Sequence, residues 1–244
     1  MPKKKRGKAI LKSLPKEEST GTGSTIRQVI LGGQDGLVNV LGIILGVASA
    51  TSNIALVLIS GVAATLAESI SMAAVAYTSS KAAKEFYDNM EKKERQEMKE
   101  VPETEQAEIR YIYYHKGFRG KFLERIVRRI TSNDKVWLED MMLQELRMTE
   151  TQFGSPLREA TVVGISSLVG SILPLIPFVL LPIKAAIIAS VVFSAIILFA
   201  VGAVKSRFTM VKWWRSGAEI AGIGIAAAII GYVVGMVLGA TIKV

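Results

Sequence analysis

The sequence predicts an all-α membrane protein with five transmembrane helices and a helical insert between the second and third. Three observations carry that expectation. Half of the 244 residues are hydrophobic although 21% are charged, and the mean hydropathy is +0.37. The charge is segregated, lying before residue 28 and between roughly Lys81 and Arg158. The rest contains five apolar stretches, each near the roughly 20 residues a helix needs to cross a bilayer. Segregation of this kind marks membrane spans joined to a water-exposed domain.

The apolar stretches run near 26–50, 54–77, 160–181, 183–204 and 217–242. They divide the chain into a basic flexible tail (1–25), spans one and two (26–80), the insert (81–155) and spans three to five (156–244). Glycines are frequent in the spans, and Gly32/Gly36, Gly42/Gly46 and Gly231/Gly235 are GxxxG pairs. In lipid such pairs let helix backbones approach closely, within a chain or between copies.

Loop charge sets the orientation. Lys3, Lys4, Lys5, Arg6, Lys8, Lys12 and Lys16 crowd the N-terminus, which is followed by a polar Gly/Ser/Thr stretch at 19–25. No short apolar core with a small-residue cleavage site follows, so the tail is not a secretory signal. The link at 49–53 is uncharged, the insert is highly charged, the link near 174–184 holds only Lys184, and KSRFTMVKWWR at 205–215 is basic. The positive-inside rule then places the N-terminus, the insert and the fourth link in the cytosol. The net charge of +9 is read as topology, and no nucleic-acid partner is expected.

The insert reads as helices. The second span continues as a charged helix to Glu100, Pro102 sits at a helix start, Phe122–Ile130 is basic and amphipathic, and Ser132-Asn133-Asp134 caps a helix over 135–149. No cysteine is present, which excludes disulfides, zinc-thiolate sites and thiol nucleophiles. Metal would need carboxylate, thioether, imidazole or backbone-oxygen ligands.

Three acids lie inside apolar spans: Asp35, Glu68 and Glu219. Charge there is costly, so each is a candidate functional group, the alternative being a protonated carboxyl that ties helices together. Asp35 and Glu68 each sit nine residues from the inner end of their span, about 13–14 Å deep at the helical rise. Asn39 is one turn beyond Asp35, and Met72 one turn inward of Glu68. Two carboxylates, an amide and a thioether at one depth could form a cation site, with the sulfur favouring later transition metals over Mg2+ or Ca2+. In the insert, Glu94/Glu97 and Glu105/Glu108 are i,i+3 carboxylate pairs, and Met141-Met142 precede Glu145, beside Asp140. Such pairs can bridge divalent ions or form an ordinary solvated face; the methionines can bind metal or fill a core. A di-iron oxidase would need Glu-x-x-His. His115 is not three residues after a glutamate and reads as a surface or capping residue. The basic run at 119–129 could dock on anionic lipid.

These residues resemble the vacuolar iron transporter family. The segments that carry the resemblance are GGQDGLVNVLGIILG, SISMAAVAY, VPETEQAE, WLEDMMLQE and ILPLIPF, in that order over nearly all the chain after residue 24. The resemblance implies a homodimer that exchanges a divalent metal, typically Fe2+, for protons. It assigns Asp35 and Met72 to the intramembrane metal path and Glu94, Glu97, Glu105, Glu108, Met141, Met142 and Glu145 to cytosolic metal binding. Ser24 stands where the family often has glutamate, and Glu68 and Glu219 also depart from its pattern. The expected function is therefore a secondary transporter, not an enzyme, exporting cytosolic Fe2+ for protons along Asp35, Asn39, Glu68 and Met72. Mn2+, Co2+, Ni2+ or Zn2+ are alternative ions, and a membrane-anchored ferroxidase or metal store is an alternative class. No tightly bound cofactor is expected. A short tail and no visible organelle signal favour a prokaryotic plasma membrane, with a vacuolar membrane as the alternative.

Overall fold

The structure, a computed structural model, describes residues 20–149 and 154–242, and every regular element among them is helical. The lysines and arginine of the tail, Lys3 to Lys16, lie outside the described residues. The chain divides into two compact units, one built from residues up to Tyr77 and from Pro156 onward, the other from Thr78–Ser155.

In the first unit, α1 spans Thr20–Thr51 and α2 spans Ile54–Glu100. The Gly/Ser/Thr stretch expected to be flexible is thus helical from Thr20. Small polar residues form a helix poorly alone, but extending one already nucleated by a long apolar span fixes only one residue at a time. Between the two helices Ser52 adopts a left-handed φ of 51°, and the Asn53 side chain accepts from the backbone N–H groups of Ala55 and Leu56 at 2.9 and 3.3 Å. That caps the start of α2. Three further helices follow the insert: α6 (Pro156–Ile172), α8 (Ile183–Thr209) and α9 (Trp213–Ile242). Five helices among the described residues are long and apolar enough to cross a membrane.

The third apolar stretch is not one straight helix. After α6 it tightens to a 3-10 turn at Leu173–Leu175, then runs as the short α7, Ile176–Leu180. Pro174 and Pro177 explain the break, since each removes a helical N–H donor. The Ser190 hydroxyl, from α8, donates to the Pro174 carbonyl at 2.7 Å, supplying a partner where lipid cannot. The fourth link is shorter than expected: α8 continues to Thr209, and Met210 turns the chain at φ 54° before α9 begins.

α1 is the central helix of this unit. Leu37, Val40, Leu41, Ile44 and Leu45 are all at most 1% exposed. Its glycines meet the backbone of neighbouring helices. A methyl group on Gly36 would fall 2.5 Å from the Ser167 carbonyl oxygen of α6. Gly231 and Gly235 of α9 lie against the Gly42 and Gly46 carbonyls. The GxxxG pairs therefore join helices within one chain, and are not available as a face for a second copy.

In the second unit, α2 continues from Thr78 to Glu100 and is followed by α3 (Pro102–His115), α4 (Gly120–Thr131) and α5 (Asp134–Gln144). Asn133 caps α5 by accepting from Lys135 and Val136 N–H at 3.0 and 3.2 Å. α5 ends at Gln144, five residues before the expected end. One core holds the unit together: Met98, Ile109, Leu123, Val127, Ile130, Trp137, Leu138, Met141 and Met142. On α4 the apolar residues Leu123, Val127 and Ile130 point inward, at the spacing of one helix face, while Lys121, Arg125, Arg128 and Arg129 stay outside.

Candidate functional site

Within the spans, α1 and α2 bring three of the predicted polar residues together. Asn39 Nδ2 donates to Glu68 Oε1 at 3.1 Å. The Asp35 carboxyl lies within hydrogen-bonding reach of the Glu68 carboxyl. Asp35 and Glu68 are half-buried, and Asn39 is exposed. Met72, one turn along α2 from Glu68, is also half-buried. Glu219 is not part of this group. It is exposed on α9. Ser24 is exposed near the start of α1.

The second unit holds a tighter cluster. Glu94 from α2, Glu105 from α3 and Glu145 just after α5 each offer a carboxylate oxygen, and these atoms all lie within 4.8 Å of one another. The chain turns at Val101, whose φ and ψ are −133° and 51°, before Pro102 opens α3. That turn brings Glu105 back to Glu94. Both are only 4% exposed. Glu94 Oε1 and Glu105 Oε2 are buried without a hydrogen-bond partner. Buried oxygens of this kind require a proton, a cation or water.

The electrostatics follow from that crowding. Glu94 is pushed up to about 8, first by desolvation, then by hydrogen bonding to Glu105 and repulsion from Glu145 and Glu105. Glu145 is exposed, yet it is pushed up to about 7 by desolvation of its carboxyl and then by Glu108 and Glu105. Burial also raises Glu105. At neutral pH the cluster therefore shares protons. A divalent cation can replace them, because it neutralises the same oxygens.

The remaining predicted ligands surround this cluster unequally. Glu97 is half-buried and ion-paired with Lys93 at 3.2 Å. Glu108 is half-buried beside Glu145. Met141 and Met142 are 0% and 3% exposed and belong to the hydrophobic core. Their packing role is realised, and metal ligation by either sulfur would be additional to it. His115 is exposed in the last turn of α3, with Nδ1 3.0 Å from the Tyr111 carbonyl oxygen.

One feature of this unit escaped the sequence reading. The Tyr113 hydroxyl donates to Asp140 Oδ1 at 3.0 Å, joining α3 to α5. Burial, then the bond to Asp140, pushes Tyr113 up to about 12, and burial raises Asp140. Nothing in the run YIYYH distinguishes Tyr113 from the exposed Tyr111 and Tyr114.

A profile of the VIT family matches residues 26–236, which contain both groups of acids. The chain is 31% identical over 213 residues to vacuolar iron transporter 1 of Arabidopsis thaliana, covering 87% of this chain and 85% of that protein. It is 32% identical over 213 residues to vacuolar iron transporter 2 of Oryza sativa subsp. japonica, covering 87% of each. Against the vacuolar iron transporter of Toxoplasma gondii the identity is 29% over 237 residues, 91% of this chain and 78% of that protein. With five membrane-crossing helices and a family match over most of its length, this multi-pass membrane protein belongs to the VIT family.

Proposed function

We propose that this protein is a secondary transporter that moves a divalent transition metal, Fe2+ foremost, out of the cytosol in exchange for protons. The observation that carries the reading is the Glu94–Glu105–Glu145 cluster, whose donor atoms lie within 4.8 Å of one another and whose buried Glu94 carboxyl is pushed up to about 8. A site where metal and protons compete for the same carboxylates is the chemistry that exchange needs. The names of the relatives support iron as the substrate.

In this reading the second unit collects metal on the cytosolic side, with Glu97, Glu108, Met141 and Met142 assisting. Asp35, Asn39, Glu68 and Met72 pass it through the membrane. The protein works as a homodimer. Polar side chains left against lipid are costly, and Asn39 is exposed while Asp35 and Glu68 are only half-buried; a second copy against that face would cover them. The positive-inside pattern supports a cytosolic insert. The vacuolar names of the relatives support a vacuolar membrane; the prokaryotic plasma membrane, the first expectation from sequence, has no support in them.

Proteoliposomes loaded with a fluorescent metal indicator test the reading. Wild type should take up Fe2+ at a rate set by the imposed pH gradient, and Asp35→Ala should be at least about tenfold slower, a rise of about 1.4 kcal/mol or more in the transport barrier. No gradient dependence, or full transport by Asp35→Ala, defeats the proposal. Competition by Mn2+, Co2+, Ni2+ and Zn2+ in the same assay orders the ions.

A further inference from the structure

In the helical insert, α4 carries a face that the insert's own packing does not use. Leu123, Val127 and Ile130 are buried in the core. On the opposite side Lys121, Arg125, Arg128 and Arg129 are exposed, and at the helical 3.6 residues per turn they share one stripe. Glu124 is the single acid of this helix. Arg110 holds it through two hydrogen bonds, with Arg128 nearby. Among the described residues, no carboxylate pairs with Lys121, Arg125 or Arg129. Aromatic rings border the stripe. The Arg125 guanidinium lies 5.6 Å from the Phe122 ring. Across the turn between α3 and α4, Arg119 stacks 3.5 Å from the Tyr114 ring. Phe122 and Tyr114 are both exposed.

We infer that this face docks on an anionic lipid surface, the headgroup layer of the membrane that the spans cross. Clustered lysines and arginines are drawn to such a surface, and exposed aromatic rings suit its half-wet boundary. The sequence of α4 alone reads as an amphipathic helix that sinks its apolar side into lipid. The folded insert rules that mode out, because Leu123, Val127 and Ile130 are already buried. The outer face is what remains, so the contact is electrostatic, shallow and sensitive to salt. The chain itself keeps lipid close. Tyr87 packs on the core of the insert. It lies ten residues beyond Tyr77, where the second apolar stretch ends, or about 15 Å at the helical rise. A patch on so short a tether meets headgroups at high effective concentration. Stripe against stripe, a second copy would instead set like charges together. The inference rests on the membrane architecture and is independent of what the protein transports.

The test exploits the absence of cysteine. The full chain with Phe122→Cys carries one environment-sensitive NBD label. It is placed in nanodiscs of phosphatidylcholine alone, or of an equal mixture with phosphatidylglycerol. Emission should shift to the blue in the mixture but not in phosphatidylcholine, and high salt should reverse the shift. Adding Arg125→Gln/Arg129→Gln should lower the ratio of docked to free insert about thirtyfold, the effect of losing two cations at an anionic surface. The unfolding midpoint should not change, since both side chains are exposed. A label at Glu103→Cys, at the opposite end of α3, should not respond to the lipid. Equal spectra in the two lipids, or a full shift in the double variant, overturns the inference. So does an equal shift at Glu103→Cys, because lipid then meets another face. A shift in detergent that grows with protein concentration also overturns it, because a second copy then covers the stripe.

Discussion

In the spans, Glu68 is held by an amide, the Asn39 side chain at 3.1 Å, with Asp35 beside it. In the helical insert, Glu94 and Glu105 hold one another, and each leaves an oxygen buried without a partner. An amide carries no titratable proton, so the donor of the tie between α1 and α2 is present at any pH. The tie between α2 and α3 depends on a proton or a cation. The two regions therefore divide the labour differently. One is a partly open group with a fixed donor. The other is a closed group whose geometry and affinity change with what it has bound.

Separate variants of the two regions break or sharpen that comparison. The largest effect is expected from Glu94→Gln/Glu105→Gln. Changing residues that only support a metal ligand costs about 10–100-fold in affinity, so losing two donors should lower binding of Mn2+, an air-stable probe, by about 100-fold or more in calorimetry of the full chain. Asp35→Ala should leave that affinity unchanged. Loss of Mn2+ affinity in Asp35→Ala would mean that the two regions are not independent.

A smaller effect is the pH profile of the same titration. Glu94 titrates at about 8 and Glu145 at about 7 when folded, both above the ordinary carboxylate value. Between that value and pH 8 the metal-free folded chain holds more protons than the unfolded chain. Its stability therefore falls as pH rises across that window, and metal affinity climbs as displaced protons become cheaper to release. Mn2+ affinity should rise by about tenfold or more from pH 6 to pH 7 and more gently to pH 8. Glu94→Gln should flatten the upper part of the curve. A flat wild-type profile would mean that the cluster is not protonated at neutral pH.

The smallest effect belongs to Arg110→Gln. Arg110 meets Glu124 through two hydrogen bonds of 2.9 and 3.2 Å, but both side chains are more than 40% exposed, and exposed pairs contribute little. Neither Mn2+ affinity nor the unfolding midpoint should move beyond error. A clear shift would show that the outer surface of α3 is coupled to the cluster.

Much of the fold was legible because the signals are local. Apolar runs long enough to span, Pro102 at a helix start and Asn133 as a cap each act within a few residues. The metal candidates were legible as residue types but not as a partnership. The i,i+3 spacing pairs Glu94 with Glu97 and Glu105 with Glu108. In the structure Glu94, Glu105 and Glu145 come together across three elements, while Glu97 turns to Lys93. That selection is made by the turn at Val101 and by the packing of α5, neither of which leaves a periodic trace. The same holds for Met141 and Met142, whose burial is a property of the core and not of WLEDMMLQE. The GxxxG pairs were legible as contact surfaces, but which helix each one meets depends on the whole bundle.

Asp35 and Gly36 are neighbours in the chain and face opposite demands. A map of tolerated substitutions would show both as nearly invariant, for unrelated reasons. Gly36 has no room for a methyl group beside Ser167 and Ser171, so a larger residue there should leave little assembled protein in the membrane. Asp35 is half-buried, so its replacement should leave normal amounts of protein that no longer works. In any screen scored by growth alone the two defects look identical. Measuring abundance beside activity separates a residue that builds the bundle from one that uses it.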